Sequence, residues 1–190
     1  MNDADGREAA FLLGTQVYLR PFEASDLTYI QPWNNDPTTR GQIGECHPTS
    51  RASAEAWLAK LNQDRDRIWF AVVSRADQRV VGEAGLLRMY YPWRTTDMTM
   101  IIGDKAAQGK GYGSEAVGLL LDYAFGYLNF HRVSIGVVGF NEGALRFWKR
   151  AGFREEGIQR DGYYYDHKYH DFVMLSILEE EYRAARSART

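Results

Sequence analysis

Seven residues in the second half of the chain, Gln108-Gly109-Lys110-Gly111-Tyr112-Gly113-Ser114, set three glycines at alternate positions between an extended stretch and a helical one. Lacking a Cβ, glycine lets backbone approach a bulky group closely and tolerates positive φ. Residues 114–128 follow, with Val117, Leu120, Leu121, Ala124, Phe125 and Leu128 at helical spacing. A helix beginning there turns unpaired amides and the positive end of its dipole toward the loop, which suits a phosphate. Lys110 adds a mobile cation at the rim. The loop by itself leaves two readings open, a seat for a phosphate-bearing ligand or merely a tight turn. It is not a P-loop, since no Gly-Lys-Ser/Thr follows a four-residue spacer, and its spacing is not that of the dinucleotide fingerprint.

What flanks the loop sets the fold class. Residues 16–20 read as a strand stopped by Pro21, with Ser25 capping a helix that runs to about Asn34. Ser53 is a candidate cap for a second helix carrying Trp57, Leu58 and Leu61 on one face. Residues 68–73 and 79–88 read as a hairpin across the turn Ala76-Asp77-Gln78, and residues 96–102 as a further strand leading into the glycine loop. Beyond the long helix, residues 132–138 form a strand and residues 142–150 a short helix ended by Gly152. Residues 153–159 and 171–178 are two more strands paired across the loop from Tyr163 to Lys168. The expected architecture is one α/β (α+β) domain with a mixed, mostly antiparallel sheet, its parallel part beginning at the Ile102/Arg132 pair. The segments up to about Gly14 and from about Arg183 read as loose termini.

Composition narrows the partners. With 190 residues, 45% of them apolar, the chain can bury a sizeable core without staples. A net charge of −2 gives no electrostatic footprint for nucleic acid. The single cysteine, Cys46, excludes an internal disulfide framework and fits a reducing compartment. The opening residues MNDADGREAA have no basic region leading into an apolar one, so they do not form a secretory signal. No apolar run approaches the roughly 20 residues a membrane span needs. A cytoplasmic protein with no membrane or nucleic-acid partner is expected.

Several motifs occur together and in order. Gln108-x-x-Gly111-x-Gly113 resembles the Q/R-x-x-G-x-G/A acetyl-CoA loop of the GNAT acyltransferases. As in that family, the loop follows the fourth expected strand. A long amphipathic helix, a strand, Asn141, and a short helix ending in Gly152-Phe153 come after it. The stretch Arg154-Glu155-Glu156-Gly157, then Asp161-Gly162-Tyr163-Tyr164 and His170-Asp171, is similar to the ribosomal-protein N-terminal acetyltransferase and spermidine acetyltransferase branch. The resemblance runs from about residue 15 to 182. It implies about seven strands flanked by about four helices, with a V-shaped split between strands 4 and 5. Acetyl-CoA would enter as co-substrate, with no metal. Its pantetheine would lie in the split beside Met100, Ile101 and Ile102, and its pyrophosphate on the amides of Gly109, Lys110, Gly111, Tyr112, Gly113 and Ser114. Asn141 would bond the pantetheine arm or order the backbone beside it. The resemblance also admits a homodimer, which no segment of the chain declares.

An acetyl acceptor amine attacks only when neutral, so a base must remove a proton directly or through water. Asp97 lies eleven residues before Gln108, on the strand leading into the loop, where some relatives carry a glutamate base. Glu83, in Val81-Gly82-Glu83-Ala84-Gly85, is the second candidate. Either is equally read as a solvated strand carboxylate, or as a charge that attracts a cationic substrate. Many relatives carry a tyrosine seven residues after the asparagine as acid for the leaving thiolate; here that residue is Trp148. Tyr112 and the Tyr163-Tyr164-Tyr165 run are candidate substitutes. Trp93, in Tyr90-Tyr91-Pro92-Trp93, sits in a strand-to-strand turn and is a candidate contact for the acceptor, as is Glu83.

The remaining residues with metal-ligand chemistry have plainer readings. His167 and His170 with Asp166 and Asp171 are expected to form a solvated turn with a structural hydrogen bond, and Cys46-His47 has no evident third partner. The function expected is acetyl transfer from acetyl-CoA to a primary amine, of a small molecule or of a protein N-terminus, in a ternary complex. The alternative is a non-catalytic acyl-CoA sensor of the same fold, which the tryptophan at 148 keeps open. A nucleotide-phosphate binder is a weaker one.

Overall fold

The computed structural model describes residues 10–187. The chain runs β1 (Leu12–Leu13), β2 (Val17–Pro21), α1 (Leu27–Asn35), α2 (Pro37–Ile43), α3 (Arg51–Leu61), β3 (Ile68–Ser74), β4 (Val80–Tyr90) and β5 (Thr95–Ile101). It continues with α4 (Tyr112–Gly126), β6 (Arg132–Val138), α5 (Glu142–Arg150), β7 (Arg154–Tyr165), β8 (Lys168–Leu178) and α6 (Glu179–Ser187). Of the segments expected to be loose, Leu12–Leu13 forms a strand and residues 183–187 belong to α6; residues 1–9 and 188–190 lie outside the described part. No described helix is long and apolar enough to cross a membrane.

All eight strands join one sheet, in the order β1-β2-β3-β4-β5-β6-β8-β7. Every neighbouring pair is antiparallel except β5 and β6. The added strand β1 turns the expected split between strands 4 and 5 into one between β5 and β6. Their parallel ladder pairs Thr95 with Arg132, Thr96 with Val133 and Asp97 with Ser134, and then stops. The sequence placed the start of that ladder at Ile102; in the fold it lies at the other end of β5. Past Asp97 each strand stays bonded to its outer neighbour, β5 to β4 and β6 to β8, so the two inner edges diverge and their facing backbone groups are left free.

Both faces of the sheet are covered, which is why β3 reads as an unbroken apolar run rather than an alternation. On one face Val72, Leu86 and Met98 pack against Leu120 and Leu121 of α4, with Trp148 and Leu175 in the same core. On the other, Tyr18, Ala71 and Val73 meet Leu27 and Ile30 of α1 and Leu58 of α3. The helix starts differ from expectation. Asp26, not Ser25, precedes α1; it is 2% exposed and takes a bidentate bond from Arg20 at 2.6 and 2.8 Å. Ser50 caps α3 by accepting from the Ser53 amide. Helix α2, which the sequence reading lacked, starts on the Asp36 side chain with Pro37 as its first residue and ends at Gly44, φ +80°.

Candidate active site

The split between β5 and β6 opens into a cleft of about 760 Å³. Met100, Ile101 and Ile102 line one wall and Ile135 to Val138 the other. Phe172 of β8 lies against β6 at Gly136, where an added Cβ would come within 2.1 Å of its ring. Asn141, Ala144, Phe147 and Trp148 bring in the first two turns of α5. Thr39, Gln42 and Ile43 of α2, with Tyr163 of β7, close the far end.

The glycine loop forms the mouth. Gly109 and Gly111 take φ of +76° and +87°, which only glycine adopts at little cost, and Gly111 precedes the first turn of α4. Gly113 lies close against β5: a Cβ there would sit 2.9 Å from Met100 Cε, and the end of the methionine side chain would have to move aside. The first intrahelical bond of α4 runs from the Glu115 amide to Gly111 O, and no protein acceptor meets the amides of residues 109–114 among the described residues. These free amides and the helix dipole together make an anion site. Gln108 does not point a group at that site: its Nε2 donates to Ile102 O at 2.9 Å and ties the loop to the end of β5. Glu115, which sequence reasoning missed, anchors the same turn from behind. Its carboxylate accepts from the amides of Thr15, Gln16 and Val17 and from Thr15 Oγ1. Burial pushes its pKa up, and those donors outweigh it, leaving the group below its ordinary value.

Asn141 caps α5, its Oδ1 accepting from the Ala144 amide at 3.1 Å, so ordering the backbone is one of its roles. Its Nδ2 has no protein partner and the residue lines the cleft. Trp148 is 4% exposed, wedged between Phe147 and Phe153. No buried side-chain nitrogen or oxygen among the described residues lacks a partner, and the Trp148 indole has no protein acceptor. Its N–H therefore opens on the cleft.

The two candidate bases part company. Glu83 pairs in register with Ala71 on one side and Ile101 on the other, which sets its side chain on the α1/α3 face beside the cleft wall. It is 6% exposed; burial pushes its pKa up to about 7, against a hydrogen bond from Trp69 Nε1 to Oε2 at 3.1 Å. Trp69 reaches it by lying over Gly85, where a Cβ would come within 2.8 Å of the ring. Glu83 Oε1 has no protein donor among the described residues and keeps a sliver of exposure. Asp97 stands at the closed end of the split, paired with Ser134, and takes a hydrogen bond from Arg88 Nε at 2.5 Å. Neither Asp97 nor Glu83 lines the cleft, and neither do Lys110 or Trp93; Glu83 stands one strand behind the wall, opposite Ile101. Trp93, 75% exposed, rests on Tyr90 in the β4–β5 turn, at the end of β5 remote from the glycine loop.

The hairpin end holds α2. Tyr163 Oη donates to Gly41 O at 2.8 Å, Tyr165 Oη to Pro37 O at 3.4 Å, and an added Cβ on Gly41 would meet the Tyr165 ring. His170 bonds Tyr165 O and Asp171 accepts from the Asp161 amide, the structural roles expected of that stretch. Glu45 is the third neighbour that Cys46 and His47 lacked in the sequence, their ligand atoms lying within 4.8 Å of one another.

The chain matches the family model described as an acetyltransferase (GNAT) domain over residues 16–154. It is 30% identical to the probable N-acetyltransferase YjcK of Bacillus subtilis (strain 168), covering 90% of this chain and 98% of that protein. Over 82 residues, 43% of this chain and 45% of that one, it is 38% identical to the putative ribosomal N-acetyltransferase YdaF of the same organism. The crystal structure of spermidine N-acetyltransferase from Vibrio cholerae in complex with CoA and spermine superposes with a TM-score of 0.83 at 27% identity, covering 90% and 99% of the two chains.

Proposed function

The chain belongs to the GNAT acetyltransferase family and transfers an acetyl group from acetyl-CoA to an amine; on that premise, we propose how its own residues carry the reaction. The observation behind the assignment is the row of unpartnered amides at 109–114, set at the open end of a split between two strands. The pyrophosphate sits on those amides, and Lys110 screens it from the rim. Pantetheine runs between the free edges of β5 and β6, along Met100, Ile101 and Ile102, with the Asn141 Nδ2 donating to one of its carbonyls. The thioester carbonyl then lies among backbone donors of the split, positioned to stabilise the oxyanion that forms on attack. Much of the acceleration comes from holding amine and thioester in line.

Glu83 serves as base in this scheme. With a pKa near 7 it is substantially ionised at neutral pH and takes the ammonium proton by way of intervening solvent. The neutral amine attacks the carbonyl carbon, the nitrogen of the tetrahedral intermediate gives its second proton to solvent as the C–S bond breaks, and the amide and CoA thiolate separate. Trp148 turns an N–H toward the cleft, which hydrogen-bonds but is far too weak an acid to protonate a thiolate, so the thiolate is protonated by water. Asp97, locked to Arg88, holds the closed end of the split. The acceptor is a primary amine, of a small molecule as in the spermidine enzyme or of a polypeptide as the ribosomal name of the other relative suggests.

Calorimetric titration of acetyl-CoA tests the cofactor half. Gly111→Ala forces a side chain into positive φ and should weaken binding about tenfold, an effect on the order of 1.4 kcal/mol. Unchanged affinity would remove the loop from the site.

A further inference from the structure

Beyond the glycine loop, the two strand walls and α5, the cleft is lined by Thr39, Gln42 and Ile43 from α2, Tyr163 from β7 and Phe172 from β8, and the acceptor end is placed there. None of these is acidic, and Arg150 is the only formal charge among the described residues of the lining. The carboxylates that flank α2 are committed elsewhere. Asp36 caps α2 through the Thr39 amide and bonds Lys105 Nζ at 3.1 Å, facing a separate hollow. Glu45 lines another hollow, to which Tyr163 also contributes, and accepts from the His47 amide. Glu83 is a single group behind the wall, bonded to Trp69. A flexible polycation held without opposing carboxylates gives up hydration of each charge and gains no ion pair.

The same end is bridged. The bonds from Tyr163 to Gly41 and from Tyr165 to Pro37 tie the hairpin to α2, and the Tyr165 ring fills the space a Gly41 side chain would occupy. An extended polypeptide would need an open trough there. We propose that the acceptor is a compact monoamine, with one positive charge and a neutral body that packs on Tyr163 and Phe172, and is neither a polyamine nor a protein N-terminus. The incoming ammonium meets the aromatic faces of Tyr163 and Phe172, which suffices for a single charge. This inference rests on the cleft assignment above and narrows it.

The test is coenzyme A release from saturating acetyl-CoA with 2-phenylethylamine, spermidine, or an octapeptide with a free N-terminus, beside a calorimetric titration of acetyl-CoA alone. The expected result is a kcat/KM for 2-phenylethylamine at least 100-fold above the other two. Spermidine or peptide turned over as fast, or acetyl-CoA bound but no release with 2-phenylethylamine, overturns the monoamine assignment and leaves the cofactor site standing. Failure to bind acetyl-CoA would overturn the cleft assignment, and this one with it. Gln42→Glu supplies a second reading by placing a carboxylate at the acceptor end. It should raise the ratio of spermidine to 2-phenylethylamine turnover at least tenfold, and an unchanged ratio would refute the charge argument.

Discussion

Ionising a carboxylate beneath a sheet is costly, and Glu83 is held there by its strand register. The group titrates at about 7 in the fold against 4.5 in the open chain, burial being the larger cause and the Trp69 bond opposing it. Below pH 4.5 both states carry the proton and the group exacts no penalty. As pH climbs toward 7 and beyond, the unfolded chain releases the proton first, so the stability the protonated group contributed is lost, by about 3 kcal/mol when complete. Glu83→Gln removes that dependence. Urea denaturation should show the variant gaining on the parent from pH 5 to 8, and a gap independent of pH would place the Glu83 carboxylate in water. The sequence put Asp97 ahead of Glu83, and alternation along a strand does not say which carboxylate finds a partner. Arg88 and Asp97 meet across the β4–β5 turn, nine residues apart, and Trp69 reaches Glu83 from the next strand, so both contacts form only once the strands pair. Trp93 was chosen as an exposed aromatic in a turn, a trait that holds in the fold without bringing it to the cleft.

Among the elements, the glycine loop, α4, β6 and α5 were legible from spacing alone, since each carries a strong local signal: three glycines, a helical apolar stripe, a β-branched run, an Asn cap. Helix α2 was not, because Gly41 and two threonines depress its helical propensity. Its Asp36-Pro37 start and Gly44 end were nevertheless present as a cap, first-turn proline and left-handed stop. The cleft's acceptor end went unread with it. Glu115 was hidden in the same way, its donors coming from the β1–β2 turn about a hundred residues earlier. The start of α1 belongs to the same class. Asp26 forms a buried bidentate pair with Arg20 and also accepts from the Glu23 amide at 2.8 Å. Asp26→Ala leaves the guanidinium buried without its partner, and chemical denaturation should record a loss of about 3 kcal/mol. A loss below about 0.5 kcal/mol would mean that water replaces the carboxylate freely.

For the whole molecule, the split is the sheet's one parallel contact, three residue pairs long, flanked by strands anchored on their outer edges. A ligand that fills it links the two halves of the sheet and should stabilise the protein by mass action. At acetyl-CoA a hundredfold above its Kd, the gain should be about 2.7 kcal/mol, a rise of roughly 5–11 °C in Tm for a chain of this size. The same nucleotide should move Gly111→Ala less at equal concentration, and equal shifts would mean that binding bypasses the loop. The family's order of motifs made the cofactor half of this site readable in the sequence. Its acceptor half depends on where α2 and the β7–β8 hairpin meet, and no local pattern encodes that contact.

The pH dependence of kcat/KM for the parent and Glu83→Gln, measured with acetyl-CoA saturating and a reactive amine, tests the chemical scheme most directly. The scheme predicts a parent profile with an inflection near 7, and a variant slower by about 10²–10⁴-fold in which that inflection is gone. A variant that keeps both the parent rate and the inflection would contradict it, and would return the proton to the amine's own equilibrium with solvent.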